Sequence, residues 1–201
     1  LGRLGPVWIE ALLGAGARVA ALDLAGAPPS DAFEALAARV DSTRMCRVDC
    51  DITDHDTVVS ALRSVEAHLG SPTILVNNAG AGVSKLVSES TVDDFDRDMR
   101  TNVRSAVAHT HAVLGHMKNK GSGCILNISS VAGSIPAPVL SFYSVSKAAL
   151  GMYTQTLASE LGEFGIRVNS ISPGGVSRGQ PKQFQERYVS KTPLGRMATE
   201  E

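Results

Sequence analysis

The 201-residue chain has almost no net charge: nineteen Lys and Arg stand against twenty Asp and Glu, a formal charge of -1. Nucleic acid is drawn to clustered positive charge, so this balance speaks against an RNA or DNA partner. Aromatic residues make up only 4% of the chain, which leaves no platform on which bases would stack. No apolar run approaches the ~20 residues that span a bilayer, and no charged-then-apolar leader opens the sequence. The three cysteines, Cys46, Cys50 and Cys124, form an odd set with no Cys-x-x-Cys pair. They are expected to be reduced, buried thiols, as suits a cytoplasmic protein. The expectation is therefore a soluble cytoplasmic protein with a small-molecule ligand, no nucleic-acid partner and no membrane partner.

What the chain does have is regular alternation. Strand-like and helix-like runs follow one another from end to end, the pattern of parallel βαβ units in an α/β fold. The length suits one domain, residues 1–201, with a sizeable core. A first helix is expected from Pro6, a favourable first-turn residue, to near Gly14 and Gly16. Strands are expected at residues 18–22 (ending at Asp23), 45–48, 73–76, 124–128 and 167–171. Helices are expected at 54–69 and 142–164, with Asp31 and Glu34 as candidate caps for another. Thr91 with Asp94 makes a capping box for a long helix reaching about Met117. Residues 174–195 are polar and mixed, as a substrate lid within that single domain would be.

Chemistry concentrates in Tyr143-Ser144-Val145-Ser146-Lys147, where a phenol and an ammonium stand four residues apart on one helical face. A free tyrosine is a poor base at neutral pH, but a neighbouring positive charge favours the phenolate. Ser130 closes the apolar run that starts at Cys124 and adds a hydroxyl at the end of a buried strand. Asn77-Asn78-Ala79-Gly80 follows another strand, and Pro173-Gly174 a third. In an open parallel sheet ligands bind at the carboxyl ends of the strands, so these groups describe one crevice. His109, His111 and His116 share the long helix, but their spacing does not gather three ligands, and no metal site is expected.

Asn77-Asn78-Ala79-Gly80, Asn102, Ser130, Tyr143-x-x-x-Lys147 and Pro173-Gly174 together resemble the short-chain dehydrogenase/reductase family over nearly the whole chain. The resemblance implies a Rossmann-type three-layer α/β/α fold with a parallel sheet, a nicotinamide cofactor, and hydride exchange with an alcohol or ketone. It also implies truncation at both ends. Leu1 to Gly5 corresponds to the tail of a glycine-rich loop, with Gly2 and Gly5 as its later glycines and Arg3 where a glycine more often stands. Residues 192–200 resemble the segment that introduces a last helix and strand. The sheet is thus expected to lack the family's first and last strands, and the fragment to fold poorly or hold cofactor weakly.

Roles follow for each residue. Tyr143 is the candidate general acid/base. By resemblance, Lys147 also holds the nicotinamide ribose, Ser130 bonds the reacting oxygen, and Asn102 positions a water that links Lys147 to solvent; Ser129 is the more structural serine. Asp23 ends a strand where its carboxylate can accept from both ribose hydroxyls and repel a 2′-phosphate, which favours NAD over NADP. Asp51 matches the family position beside the adenine, with Ile52 packing nearby. Asn78, Ala79 and Gly80 would line the cofactor through close backbone approach, while Asn77 supports the strand end. Pro173, Gly174 and Val176 would meet the nicotinamide, and Arg178 stands where the family often has a threonine.

Substrate determinants are expected at residues 81–86, 135–142 and 180–188. The leading reading is hydride transfer between NAD(H) and a secondary alcohol or ketone such as a sugar or polyol. A 3-oxoacyl thioester reductase using NADP(H) and a non-catalytic dinucleotide-binding or scaffold relative remain as alternatives. The resemblance implies a homodimer or homotetramer.

Overall fold

A computed structural model describes residues 2, 4–177 and 179–199. Helix α1 (Gly5–Gly14) carries Pro6 in its first turn, where a missing N–H is no loss. Strand β1 (Val19–Asp23) follows, then helix α2 (Asp31–Arg39). Ser30 is the residue that caps α2, its hydroxyl accepting from the Phe33 amide. Asp31 and Glu34 instead fill the first helical turn, where negative charge meets the helix dipole. Strand β2 (Met45–Asp49) leads to helix α3 (His55–Leu69), capped by Asp54.

Strand β3 (Ile74–Asn77) is followed by an irregular segment and helix α4 (Val92–Met99), which opens on the expected capping box of Thr91 and Asp94. The long helix expected to run on from there is interrupted. A π turn, Arg100–Arg104, separates α4 from α5 (Ser105–Lys120). Such single wide turns sit inside helices at functional sites more often than elsewhere. Strand β4 (Gly123–Ile128), helix α6 (Ser141–Leu161), strand β5 (Ile166–Ile171) and helix α7 (Lys182–Val189) complete the order.

All strand pairs are parallel. β1 pairs with β2, and β4 lies between β3 and β5; among the described residues these are two separate hydrogen-bonded groups rather than one sheet. Successive residues of a strand point to opposite faces. Val19 and Ala21 accordingly pack with Ile9 and Leu13 of α1 and Phe33 and Leu36 of α2. Leu22 and Val48 turn the other way, toward Val58 and Ala61 of α3. Helices thus cover both faces, which is why β1, Val19-Ala20-Ala21-Leu22-Asp23, reads as a near-continuous apolar run. The second group packs Ile125, Ile166 and Val168 against Val113 and Met117 of α5 and Leu157 and Leu161 of α6.

Polar groups fix the register where the site begins. Asn77 is paired with Asn127 across β3 and β4, and its side-chain amide donates to Asn127 Oδ1 at 2.9 Å. Asn127, fully buried, donates in turn to the Thr154 hydroxyl of α6 at 2.9 Å. This ladder ties the two strands to the helix that bears Tyr143 and Lys147. Among the described residues no helix is long and apolar enough to cross a membrane, and the three cysteines are unpaired.

Candidate active site

β3 runs out into Asn78-Ala79-Gly80, β4 into Ser129-Ser130, and β5 into Pro173-Gly174, so three neighbouring strand ends open on one side. Ser130, Tyr143 and Lys147 line a single cavity there of about 290 Å3. Asn78 and Gly80 form one wall, and Pro173, Gly174 and Val176 another. Leu4, Ile128 and Ser129 complete it; of these, Leu4 and Ile128 are not identifiable as site residues from the sequence.

Tyr143 and Lys147 occupy the first two turns of α6. Lys147 is only 3% exposed, and its ammonium donates a 2.7 Å hydrogen bond to the Ile128 carbonyl at the end of β4. Burial disfavours the charged form and brings its pKa down from 10.5 to about 8. The same nitrogen lies 5.6 Å from the centre of the Tyr143 ring. A half-buried phenol and a buried cation thus share the cavity.

The two serines diverge. Ser129 is buried and donates to the Lys147 carbonyl at 3.0 Å, pinning strand end to helix. Ser130 caps the short 3-10 turn Val131–Gly133, its oxygen accepting from the Ala132 amide at 3.2 Å. The turn sits hard against α6, because a Cβ on Gly133 would come within 2.8 Å of the Lys147 backbone carbon. Glycine is what permits that approach.

Asn102 lies in the π turn and is 2% exposed. Its oxygen accepts from the Ala81 amide at 2.8 Å, and its nitrogen donates to the Ala81 carbonyl at 2.7 Å and to the Ser146 hydroxyl at 2.8 Å. Ser146 passes the connection on to the Tyr143 carbonyl at 2.7 Å. Asn102 therefore stands behind the cavity wall, joining the segment after β3 to the first turn of α6. A Cβ on Gly80 would lie 3.1 Å from Lys147 Nζ and 3.2 Å from Asn102 Oδ1, so the bare backbone of Gly80 separates the two side chains.

The remaining expected cofactor residues are not among those that line this cavity. Asp23 ends β1, its Oδ1 accepting from the Leu24 amide at 2.9 Å. Asp51 follows β2; the backbone and then the hydroxyl of Thr53 hydrogen-bond its carboxylate and hold its pKa below the usual value. Ile52 packs against the Cys50, Val58 and Ala61 cluster. Gly2 and Ala79 are exposed, and the Gly5 amide donates to the Gly2 carbonyl at the start of α1. Arg3 and Arg178, and with Arg178 the expectation about its threonine position, fall outside the described residues.

Trp8 and Tyr188 also reach the site's surroundings. Trp8 Nε1 donates to the Asn78 side-chain oxygen at 2.8 Å, tying α1 to the end of β3. As the one tryptophan in the chain, with an N–H that seeks an acceptor when buried, it was a readable signal. In the expected lid, α7 lays Tyr188 over the glycine pair after Pro173: its hydroxyl accepts from the Gly175 amide, and a Cβ on Gly174 would meet that oxygen at 2.9 Å.

The family model described as short chain dehydrogenase matches residues 4–188. The chain belongs to the short chain dehydrogenase family. Within that family it is 34% identical over 154 residues to a cyclopentanol dehydrogenase of a Comamonas species, a match covering 74% of this chain and 62% of that one. It is 33% identical to a Xanthobacter autotrophicus protein named as an inactive 2-(S)-hydroxypropyl-CoM dehydrogenase, over 96% of this chain and 86% of the relative. A gluconate 5-dehydrogenase from Burkholderia cenocepacia, solved with NADP and tartrate, superposes with a TM-score of 0.87 at 26% identity, covering 99% of this chain and 80% of that one. The chain spans less than two thirds of the length of several curated dehydrogenase relatives, and as little as 48% of one.

Proposed function

We propose that the chain carries the reaction centre of a nicotinamide-dependent oxidoreductase that moves a hydride between cofactor and a secondary alcohol or ketone. The observation that supports this reading is the single cavity that Tyr143, Lys147 and Ser130 line together, with the Lys147 ammonium 5.6 Å from the centre of the Tyr143 ring. The cavity is where one end of a dinucleotide would sit: its lining joins the turns that follow β3, β4 and β5, and a parallel sheet takes its ligand at the carboxyl ends of its strands. The nicotinamide, when bound, supplies or takes up the hydride. Tyr143 gives a proton to the carbonyl oxygen in reduction and removes it from the hydroxyl in oxidation. Lys147, held as a cation near neutral pH, favours the phenolate and reaches toward the ribose. Ser130 donates to the reacting oxygen as charge develops there.

Asn102 acts here through backbone and Ser146, supporting the proton path at Lys147 rather than lining the cavity. Asn78, Ala79, Gly80, Pro173, Gly174 and Val176 form the nicotinamide side of the cofactor groove. Gly2, Gly5, Asp23, Asp51 and Ile52 belong to its far half. Asp23, at the carboxyl end of β1, favours NAD over NADP by repelling a 2′-phosphate. Residues 174–195 act as the substrate lid. A sugar or polyol is the preferred substrate class, in line with the gluconate dehydrogenase likeness, and a 3-oxoacyl thioester is the competitor. A homodimer or homotetramer in the cytoplasm completes the reading; Val145 and Met152 of α6, 49% and 61% exposed, are available to such an assembly.

The test is an absorbance assay of NADH and NADPH turnover with polyols, sugar acids, cyclic alcohols and a 3-oxoacyl thioester. Turnover of at least one alcohol or ketone that depends on Tyr143 supports the reading. Tight cofactor binding with no turnover on any of them would favour a non-catalytic dinucleotide-binding protein.

A further inference from the structure

α4 and the π turn after it carry three buried polar side chains at four-residue intervals: Asp94, Asp98 and Asn102, 5%, 0% and 2% exposed. Four helical residues rise about 6 Å, and two residues of extended chain rise about 6.6 Å. The segment leaving β3 uses this match. Asn102 bonds both backbone groups of Ala81, Asp98 Oδ2 accepts from the Val83 amide at 3.4 Å, and Asp94 Oδ2 accepts from the Lys85 ammonium at 2.9 Å. On its other side the segment is held where the Lys85 amide donates to the Val139 carbonyl at 2.9 Å.

The middle contact is the long one, and the other oxygen of Asp98 is buried without a hydrogen-bond partner among the described residues. Placing a carboxylate wholly out of water is unfavourable unless it does something an apolar side chain could not. Among the described residues, its hydrogen bond is to the amide of Val83. Next to that amide, Gly82 presses on the acid/base candidate: a Cβ there would lie 2.7 Å from Cδ2 of Tyr143 and 3.0 Å from Cγ. The strip is therefore the wall against which the phenol ring rests.

We infer that Asp98 is a positioning residue for Tyr143, anchoring the centre of the 81–85 strip so that Gly82 holds the ring in place; the inference rests on the oxidoreductase reading above. Asp98 does not line the cavity and acts only through the backbone.

Two measurements test it separately from that reading. Amide hydrogen exchange on the wild-type chain reads the anchor whether or not the protein turns over substrate. The Val83 amide is expected to exchange slowly, and about tenfold or more faster in Asp98→Val, which fills the space without an acceptor. A Val83 amide exchanging at the unprotected rate in the wild type overturns the inference. Kinetics then read the consequence: misplacing a reacting group lowers kcat, so Asp98→Val should lose about tenfold or more in kcat with cofactor affinity nearly unchanged. Asp98→Asn keeps an acceptor oxygen and should recover most of that loss. A folded Asp98→Val with undiminished kcat, or an Asp98→Asn as impaired as Asp98→Val, contradicts it. If the wild type shows no turnover at all, the oxidoreductase reading fails while the exchange result still decides the anchor.

Discussion

The Lys147 ammonium sits 5.6 Å from the centre of the Tyr143 ring and is tied to the Ile128 carbonyl, so one helix and one strand end together fix the distance between cation and phenol. Burial leaves Lys147 with a pKa of about 8, against 10.5 in water. Below pH 8 the side chain is protonated in both folded and unfolded chains. Between about 8 and 10.5 the unfolded chain binds the extra proton, so the contribution of Lys147 to stability rises with pH, against Cys46, Cys50 and Tyr153, whose pKa values, raised by burial, act the other way. The rise amounts to roughly 3 kcal/mol over the window, at 1.36 kcal/mol per pH unit. Urea unfolding at pH 7.5, 9 and 10.5 should therefore give a slope of stability against pH that is more positive in the wild type than in Lys147→Met. Equal slopes in the two proteins would contradict the burial argument.

The close approach of the turn after Ser130 to α6 makes a second expectation. Gly133→Ala places a methyl group 2.8 Å from the Lys147 carbon and 2.9 Å from the Ala148 nitrogen. Both are backbone atoms of a packed helix and have little room to give. Overpacking of this kind costs about 1 to 3 kcal/mol, and the shift falls on the turn that presents Ser130. Gly133→Ala should lower Tm and impair turnover together. By contrast, a Cβ at Gly151 meets nothing within 4 Å, and Gly151→Ala in the middle of α6 should leave stability unchanged or raise it.

The Asn77, Asn127 and Thr154 ladder predicts a cooperative loss. Asn127→Ala leaves the Asn77 amide without its acceptor and takes one donor from the Thr154 hydroxyl, which keeps its own bond to the Leu150 carbonyl. Leaving a buried polar group unsatisfied costs roughly 1 to 3 kcal/mol, and the part-buried Asn77 amide bears most of that loss here. Thr154→Val in the Asn127→Ala background should then add much less than it does alone, because the shared bond is already gone. Strictly additive losses in denaturant titrations would show that the ladder is not a unit.

In the proposed reading, cofactor choice rests on Asp23. If its carboxylate repels a 2′-phosphate, the wild type should bind NADH more tightly than NADPH, and Asp23→Ala should narrow that ratio by about tenfold, equal to roughly 1.4 kcal/mol. Fluorescence titration with the two reduced cofactors measures it. A wild-type preference for NADPH that Asp23→Ala leaves untouched would remove Asp23 from the groove.

Much of this architecture was legible because it is local. The Thr91 and Asp94 capping box, Pro6 in the first turn of α1 and the apolar runs of β3, β4 and β5 are written within a few residues, and the structure forms them where expected. Ser30 and Asp31 are adjacent and both good caps, so spacing alone could not choose between them; the Phe33 amide, bonded to Ser30, decides. The π turn at Asn102 is invisible to periodicity, since one extra residue in a turn barely shifts an apolar stripe. Leu4, Gly82 and Asp98 matter only through tertiary contacts, and no sequence pattern announces those. Nor does alternation reveal hydrogen bonding between particular strands, so the division of the parallel strands into β1 with β2 and β3 to β5 is visible only in the structure.

The central claim is that Tyr143 moves the proton, and a single-turnover comparison tests it most directly. Wild type and Tyr143→Phe are each loaded with reduced cofactor, mixed with a ketone that the wild type accepts, and followed by nicotinamide absorbance. The two should bind cofactor with similar affinity, while Tyr143→Phe should be slower in the hydride step by about 100-fold to 10,000-fold, the range a positioned acid/base supplies. Equal single-turnover rates in the two proteins would contradict the account.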